Sequence, residues 1–228
     1  MILTVGNVKG GVGKTTLAVN IAIAAAHAGA DVLLVDGDEQ GTAMTFTELR
    51  QQETSKTDYT AVALSGAAVR QQVRQLAPKY DLTVIDVGGR DTGSFRAALT
   101  VTDTLLVPVL PRTFDIWALD QIAALINEAR EINDSLHAFS ILNAADPTGR
   151  DNDEAAAILA DHSVTTHIQG QVVRRKAFSN AAAIGAAVFE LQPRDRKAEA
   201  ELTTLLRSLN VYHNDIGRTS HVNRKETA

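Results

Sequence analysis

The chain begins MILTVGNVKGGVGKTTLAV, where the strand-like run Ile2 to Val5 leads directly into a loop with glycines at 10, 11 and 13. No other stretch restricts the fold as much. A short strand, a glycine-rich turn and a helix starting at Lys14 form an anion cradle, because consecutive backbone N–H groups point inward and the helix N-terminus adds partial positive charge. Triphosphate is its natural ligand. Gly13, Lys14 and Thr15 satisfy the end of the G-x-x-x-x-G-K-[ST] pattern, but Val8 stands where the first glycine belongs, so the loop is a variant. The dinucleotide fingerprint G-x-G-x-x-G fails, since Thr16 occupies its third glycine position. Lys14 has an obvious partner in phosphate; Lys9 has no place in the standard loop.

Downstream, strand-length apolar runs alternate with helical segments: ILTV, DVLLVD, TAVAL, DLTVID, TLLVPV and HAFSILN. Helices are expected near 14–28, 41–52, 66–76, 115–132, 152–161 and 195–209. The alternation predicts an α/β fold, a mostly parallel central sheet with helices on both faces. The near-continuous Val, Ile and Leu of the runs suits strands buried on both sides. A length of 228 residues suits one domain, expected over 1–213, with a polar, fraying tail over 214–228. Gly29 is placed to stop the first helix by taking the left-handed conformation. QQETSKTDYT reads as a surface connection, and SNAAAIGAAVFE as a helical alanine run that packs closely.

The sequence has no cysteine, which excludes disulfides and thiolate metal sites and fits a cytoplasmic protein. No signal peptide or membrane span is visible. The net charge of −5 argues against coating nucleic acid through overall charge, yet the residues from Gly170 onward carry +4 and the first 169 carry −9. That asymmetry marks the C-terminal quarter as a candidate anion-binding surface. Carboxylates also end two strands, in DGDEQGTA after VLLV and in DVGGRDTG after LTVI, where phosphoryl-transfer sites gather metal and water ligands.

The stretch KGGVGKTT resembles the deviant Walker A box of the ParA/MinD family of ATPases. The resemblance implies a single-domain P-loop NTPase that uses ATP and Mg²⁺. Lys9 would then be the signature lysine that reaches across a sandwich homodimer to the phosphates held by the other subunit. Gly10, Gly11, Val12 and Gly13 would cradle phosphate, Lys14 would meet the β- and γ-phosphates, Thr15 would join the Mg²⁺ shell, and Thr16 would sit near the α-phosphate. The family pattern D-x-D-P-Q is matched at Asp36, Asp38 and Gln40 with Glu39 in place of proline, which implies that Asp38 positions the attacking water and Asp36 supports magnesium. Asp86 corresponds to the Walker B aspartate that holds Mg²⁺ through water, and it is followed by VGGR instead of the common T-P-P. This is most similar to the glycine-rich version of the small ParF-like partition ATPases, and the glycine pair suits a switch loop that reorders around a γ-phosphate. The similarity continues through LLVPVLPRTFDIWAL, with Pro108, Pro111 and Asp115. It continues through ILNAAD, where Asn143 is an adenine candidate although Ala144 replaces an arginine, and through VRRKAFSNAAAIGAAVFE, a strand end, helix and G-x-x-V-F/Y-E turn.

The same resemblance implies nonspecific DNA binding by the ATP dimer. Arg174, Arg175 and Lys176 are the candidate contacts, joined by Arg194, Arg196 and Lys197. It also implies a cargo-bound adaptor of ParB type that stimulates hydrolysis, and association with the nucleoid in the ATP state. The tail GRTSHVNRKETA lacks the amphipathic pattern of a membrane anchor, so no membrane partner is expected. Nor is operator-specific DNA binding, because the P-loop lies almost at Met1. The expected cargo is a plasmid or chromosomal region. The alternatives are a microcompartment, a chemotaxis cluster or conjugative-transfer DNA on the same switch, or a metabolic enzyme with the same loop; an iron-protein relative would need cluster cysteines.

Overall fold

Residues 1–55, 57–89, 92–112, 119–148 and 150–211 are described by a computed structural model. The apolar runs become seven strands: β1 (Ile2–Val5), β2 (Val32–Asp36), β3 (Thr60–Ala63), β4 (Leu82–Asp86), β5 (Thr104–Val109), β6 (His137–Ala145) and β7 (Thr166–Val173). They form one sheet in the order β3-β2-β4-β1-β5-β6-β7, and every neighbouring pair is parallel. The α-helices among the described residues are α1 (Lys14–His27), α2 (Thr42–Thr54), α3 (Ala67–Leu76), α4 (Thr92–Leu99), α5 (Leu119–Arg130), α6 (Arg150–Asp161), α7 (Lys176–Ala182) and α8 (Arg196–Ser208).

Alternation along each strand divides the core into two layers. Leu3, Leu34, Val84 and Leu106 face α1, α2, α7 and α8, whereas Leu33, Val35, Ile85 and Val107 face α3 to α6. The expected fold is therefore present, with helices covering both faces. Register brings Val5, Asp36 and Asp86 abreast at the C-terminal ends of β1, β2 and β4. Sequential strands diverge to opposite sides of β1, and that divergence opens the crevice where such sheets bind ligands.

Gly29 (φ 90°) ends α1 as expected: its N–H bonds Ala26 O and the N–H of Ala30 bonds Ala25 O, a paired closure of the last turn. Several local expectations need correction. QQETSKTDYT is not simply a surface connection, since α2 runs through Thr54 and Tyr59 is buried with its hydroxyl 3.1 Å from that of Thr47. The alanine run is not one helix. α7 ends at Ala182, Gly185 takes φ 61°, and Val188–Glu190 form a 3-10 turn. Apolar periodicity does not reveal β7 and α4, because THIQGQVV carries polar residues at a sheet edge and TGSFRAAL is barely two turns long. Within the expected helix at 115–132, the described part is Leu119–Arg130; Asp115 and the tail expected at 214–228 lie outside the described residues.

The C-terminal turn is clasped to the first two helices. Arg50, 2% exposed, donates to both carboxylate oxygens of Glu190 (2.8 Å each), to Asp58 Oδ2 (2.8 Å) and to the carbonyl of Gly185 (3.0 Å). Buried Asn20 bridges Thr16 O and the N–H of Val188. The G-x-x-V-F-E turn thus ties down α1 and α2, the second of which begins beside the strand-end carboxylates.

Candidate nucleotide-binding site

The loop between β1 and α1 is fixed by contacts within the chain. Asn7, fully buried, donates to Pro108 O (2.7 Å) and accepts from the N–H of Lys9 (2.9 Å), so the first proline of LLVPVLP helps set where the loop leaves the sheet. Gly11 and Gly13 take φ of 74° and 85°, which side chains rarely adopt. A β-carbon on Gly13 would also lie 2.3 Å from Asn143 Nδ2. Lys14, mostly buried, donates from Nζ to the carbonyl of Lys9 at 2.8 Å. Burial lowers the pKa of its ammonium below the ordinary lysine range, while Asp86 and Asp38 act in the opposite sense. The side chain therefore presents a cation at the mouth of α1, where a phosphate would be met by Lys14 and by the free N–H groups of the helix.

Three carboxylates converge on this loop. Thr15 donates its hydroxyl proton to Asp86 Oδ2 (2.6 Å), and Asp86 Oδ1 is buried with no hydrogen-bond partner. Burial pushes the Asp86 carboxyl up to about 7, against the Thr15 bond, and nearby Asp36 raises it further. An orphaned buried carboxylate oxygen beside a threonine hydroxyl is the donor set a hard divalent cation takes. Asp36 is occupied differently: Oδ1 accepts from the N–H of Asp38 (3.1 Å) and Oδ2 from that of Met44 (2.9 Å), so it holds the start of α2. Burial raises its pKa, with those two amides opposing. Asp38 accepts from the N–H of Gln40 at 3.1 Å.

Asn143 donates from Nδ2 to Val12 O (2.7 Å), and its place beneath the loop follows from its position near the end of β6. Beside it opens a cavity of about 670 Å³, lined on one side by Gly13, Thr16 and Asn143 and on the other by Arg174, Lys176 and Phe178. The six basic residues expected to contact DNA thus separate into two groups. Arg174, Arg175 and Lys176 line this cavity, and Arg175 is tied to Glu201 (Nε to Oε2, 3.2 Å). Arg194, Arg196 and Lys197 are exposed at or just before the start of α8, and Arg194 donates two hydrogen bonds of 2.7 Å to Glu199. Asn7 and Arg50 are not found by motif or spacing, and what Gly88 and Gly89 abut is not legible there either. Only the glycine pair leaves a signal in the sequence, the unusual DVGG continuation.

Residues 3–188 match the CbiA family, described as the CobQ/CobB/MinD/ParA nucleotide binding domain. The maintenance of carboxysome distribution protein A of Halothiobacillus neapolitanus is 30% identical over 208 residues, covering 90% of this chain and 94% of that protein. The sporulation initiation inhibitor protein Soj of Bacillus subtilis is 24% identical over 243 residues, 88% of this chain and 95% of that one. Among solved structures, a variant of Cyanothece McdA in complex with ATP has the same fold, with a TM-score of 0.78 at 16% identity over 92% of this chain and 96% of that one. No described helix is long and apolar enough to cross a membrane. With this loop, this strand order and these relatives, the chain belongs to the CobQ/CobB/MinD/ParA nucleotide-binding family, as a P-loop NTPase of the ParA/MinD partition and positioning type.

Proposed function

We propose that the protein is an ATP-driven association switch that positions a large cargo. The observation that carries this reading is the convergence of Lys14, Thr15, Asp86 and Asp38 on one glycine loop that also carries a second lysine, the half-buried Lys9. Gly10 to Thr16 hold the phosphates, Lys14 leaves the Lys9 carbonyl for phosphate oxygens, and the cavity beside Asn143 receives the base. Thr15 and Asp86 hold magnesium, with Asp36 behind them anchoring α2. Magnesium, when bound, supplies positive charge to the β- and γ-phosphates. Asp38 orients the attacking water and takes up its proton, while Lys9 engages the phosphates of a second copy and so makes dimerisation depend on ATP. The dimer binds DNA nonspecifically through exposed basic residues, and an adaptor on the cargo stimulates hydrolysis to release it. This is a switch in which the chemistry times an association.

For the cargo, the near full-length similarity to a carboxysome distribution protein favours a protein microcompartment over the plasmid or chromosomal region expected from sequence. The reading is tested by sedimentation and duplex-DNA binding with no nucleotide, ADP and ATP–Mg²⁺, for the wild type and Lys9→Ala. Wild type should dimerise and bind DNA only with ATP, and Lys9→Ala should remain monomeric; DNA-independent hydrolysis by a permanent monomer would sink it.

A further inference from the structure

The two glycines after Val87 close the space between the P-loop and the loop that carries Asp38. A β-carbon on Gly88 would stand 2.6 Å from Oδ1, 2.7 Å from Cγ and 3.0 Å from Oδ2 of Asp38. A β-carbon on Gly89 would stand 2.9 Å from the carbonyl carbon and oxygen of Lys9 and from the carbonyl oxygen of Val8. The two glycines therefore face different things: a carboxylate end at 88, and the backbone of the phosphate loop at 89. Gly88 is buried and does not lie in the left-handed region, so its backbone would accept alanine. The Asp38 carboxylate is held against it from the other side, since Oδ1 accepts from the N–H of Gln40 while the Asp38 N–H is bound to Asp36.

We infer that Gly88 is a positioning residue for Asp38: its missing side chain forms the seat in which that carboxylate rests beside the end of β4. A methyl group there turns the Asp38 side chain out of its place and leaves the P-loop where it is, because the displaced atoms are the end of a side chain. The same addition at Gly89 pushes on Lys9 and Val8 instead, whose carbonyl and neighbouring turn shape the cradle. One glycine thus serves the water-orienting carboxylate and the other serves phosphate binding. This rests on the proposed role of Asp38 in hydrolysis.

The test compares wild type, Gly88→Ala, Gly89→Ala, Asp38→Ala and the Gly88→Ala/Asp38→Ala double variant in steady-state turnover and in affinity for a fluorescent ATP analogue. Gly88→Ala should lower kcat by at least about tenfold, as loss of a positioned acid–base group does, with nucleotide affinity within about twofold of wild type. The double variant should be no slower than Asp38→Ala, because the two changes remove one function. Gly89→Ala should show the reverse split, with affinity falling first. The ¹³C signal of the Asp38 carboxyl should move in nucleotide-free Gly88→Ala, a readout independent of turnover. Wild-type kcat in Gly88→Ala, an unmoved carboxyl signal, or a double variant slower than Asp38→Ala by the full Gly88→Ala factor would overturn the inference. Should Gly88→Ala melt early, Asp38→Ala must restore its melting temperature by removing the clash; a loss that persists in the double variant also overturns it. Wild-type turnover in Asp38→Ala would instead remove the hydrolytic reading on which the inference rests.

Discussion

The Nζ of Lys14 donates to the carbonyl oxygen of Lys9 across 2.8 Å, so the backbone of the first loop lysine holds the side chain of the second. An entering phosphate must take over that bond. Lys14→Ala is expected to weaken ATP binding by roughly 10 to 100-fold, the scale of one or two hydrogen bonds to a charged group. Lys9→Ala keeps the carbonyl and is expected to bind ATP within about threefold of wild type on the same scale. Titration of a fluorescent ATP analogue into both variants distinguishes a lysine used within the subunit from one used between subunits.

Asp86 has one oxygen bound to Thr15 and the other buried without a partner. Asp86→Asn keeps the shape and removes the charge that would hold a cation. The gain in ATP affinity on adding Mg²⁺ should shrink by at least about tenfold, a loss typical when metal-site groups are altered. Isothermal titration with EDTA and with Mg²⁺ measures that gain, and an equal gain in the variant would remove Asp86 from the metal site.

The clasp of Arg50 on Glu190 and Asp58 should stabilise the protein without touching the nucleotide. Arg50→Ala leaves Glu190 and Asp58 with His27 Nε2 (3.2 and 3.5 Å) as their remaining cationic neighbour and is expected to cost about 3 kcal/mol, lowering Tm by roughly 10 °C. Burial opposes the charge of Glu190, but the Arg50 bonds and the N–H of Ala187 outweigh it and hold its pKa below the usual value. For a carboxyl lowered in the folded state, the stabilisation is present above its unfolded pKa and is lost as pH falls through the folded one. The stability gap between wild type and Glu190→Gln should therefore be present at neutral pH and close in strongly acidic solution, as urea melts across that range would show. A gap that persists in strongly acidic solution would contradict the assignment.

Arg196 and Lys197 at the start of α8 and Arg174 and Lys176 are all exposed, but only Arg174 and Lys176 line the cavity beside the P-loop. Replacing Arg196 and Lys197 with alanine should reduce the slope of log affinity for duplex DNA against log salt by about 2, leaving ATP binding unchanged. Arg174→Ala should instead weaken nucleotide binding. Salt-series binding curves on the two variants separate a DNA surface from a nucleotide wall, and equal slopes in wild type and the double variant would place the DNA elsewhere.

Local chemistry makes much of the fold and the site legible in the amino-acid sequence. The glycines at 11 and 13 announce a backbone that only glycine adopts easily, and the buried runs from ILTV to HAFSILN announce parallel strands. Asp36 and Asp86 end their strands, and parallel register alone brings such ends together. The hidden parts depend on contacts distant in sequence: Asn7 meets Pro108, Asn143 meets Val12, and Arg50 meets Glu190 across 140 positions. β7 is hidden too, because an edge strand needs no apolar run on its open side.

The sequence by itself determined the phosphate loop and the α/β order, since each follows from spacing within a few residues and from the period of apolar side chains, and the resemblance carried by KGGVGKTT pointed to the family. Only the tertiary structure decided which carboxylate oxygen is buried without a partner, which cations line the cavity beside the P-loop, and that Gly88 and Gly89 abut Asp38 and Lys9. Those are distances between strands and loops set by the packing of the whole sheet, and no local pattern encodes them.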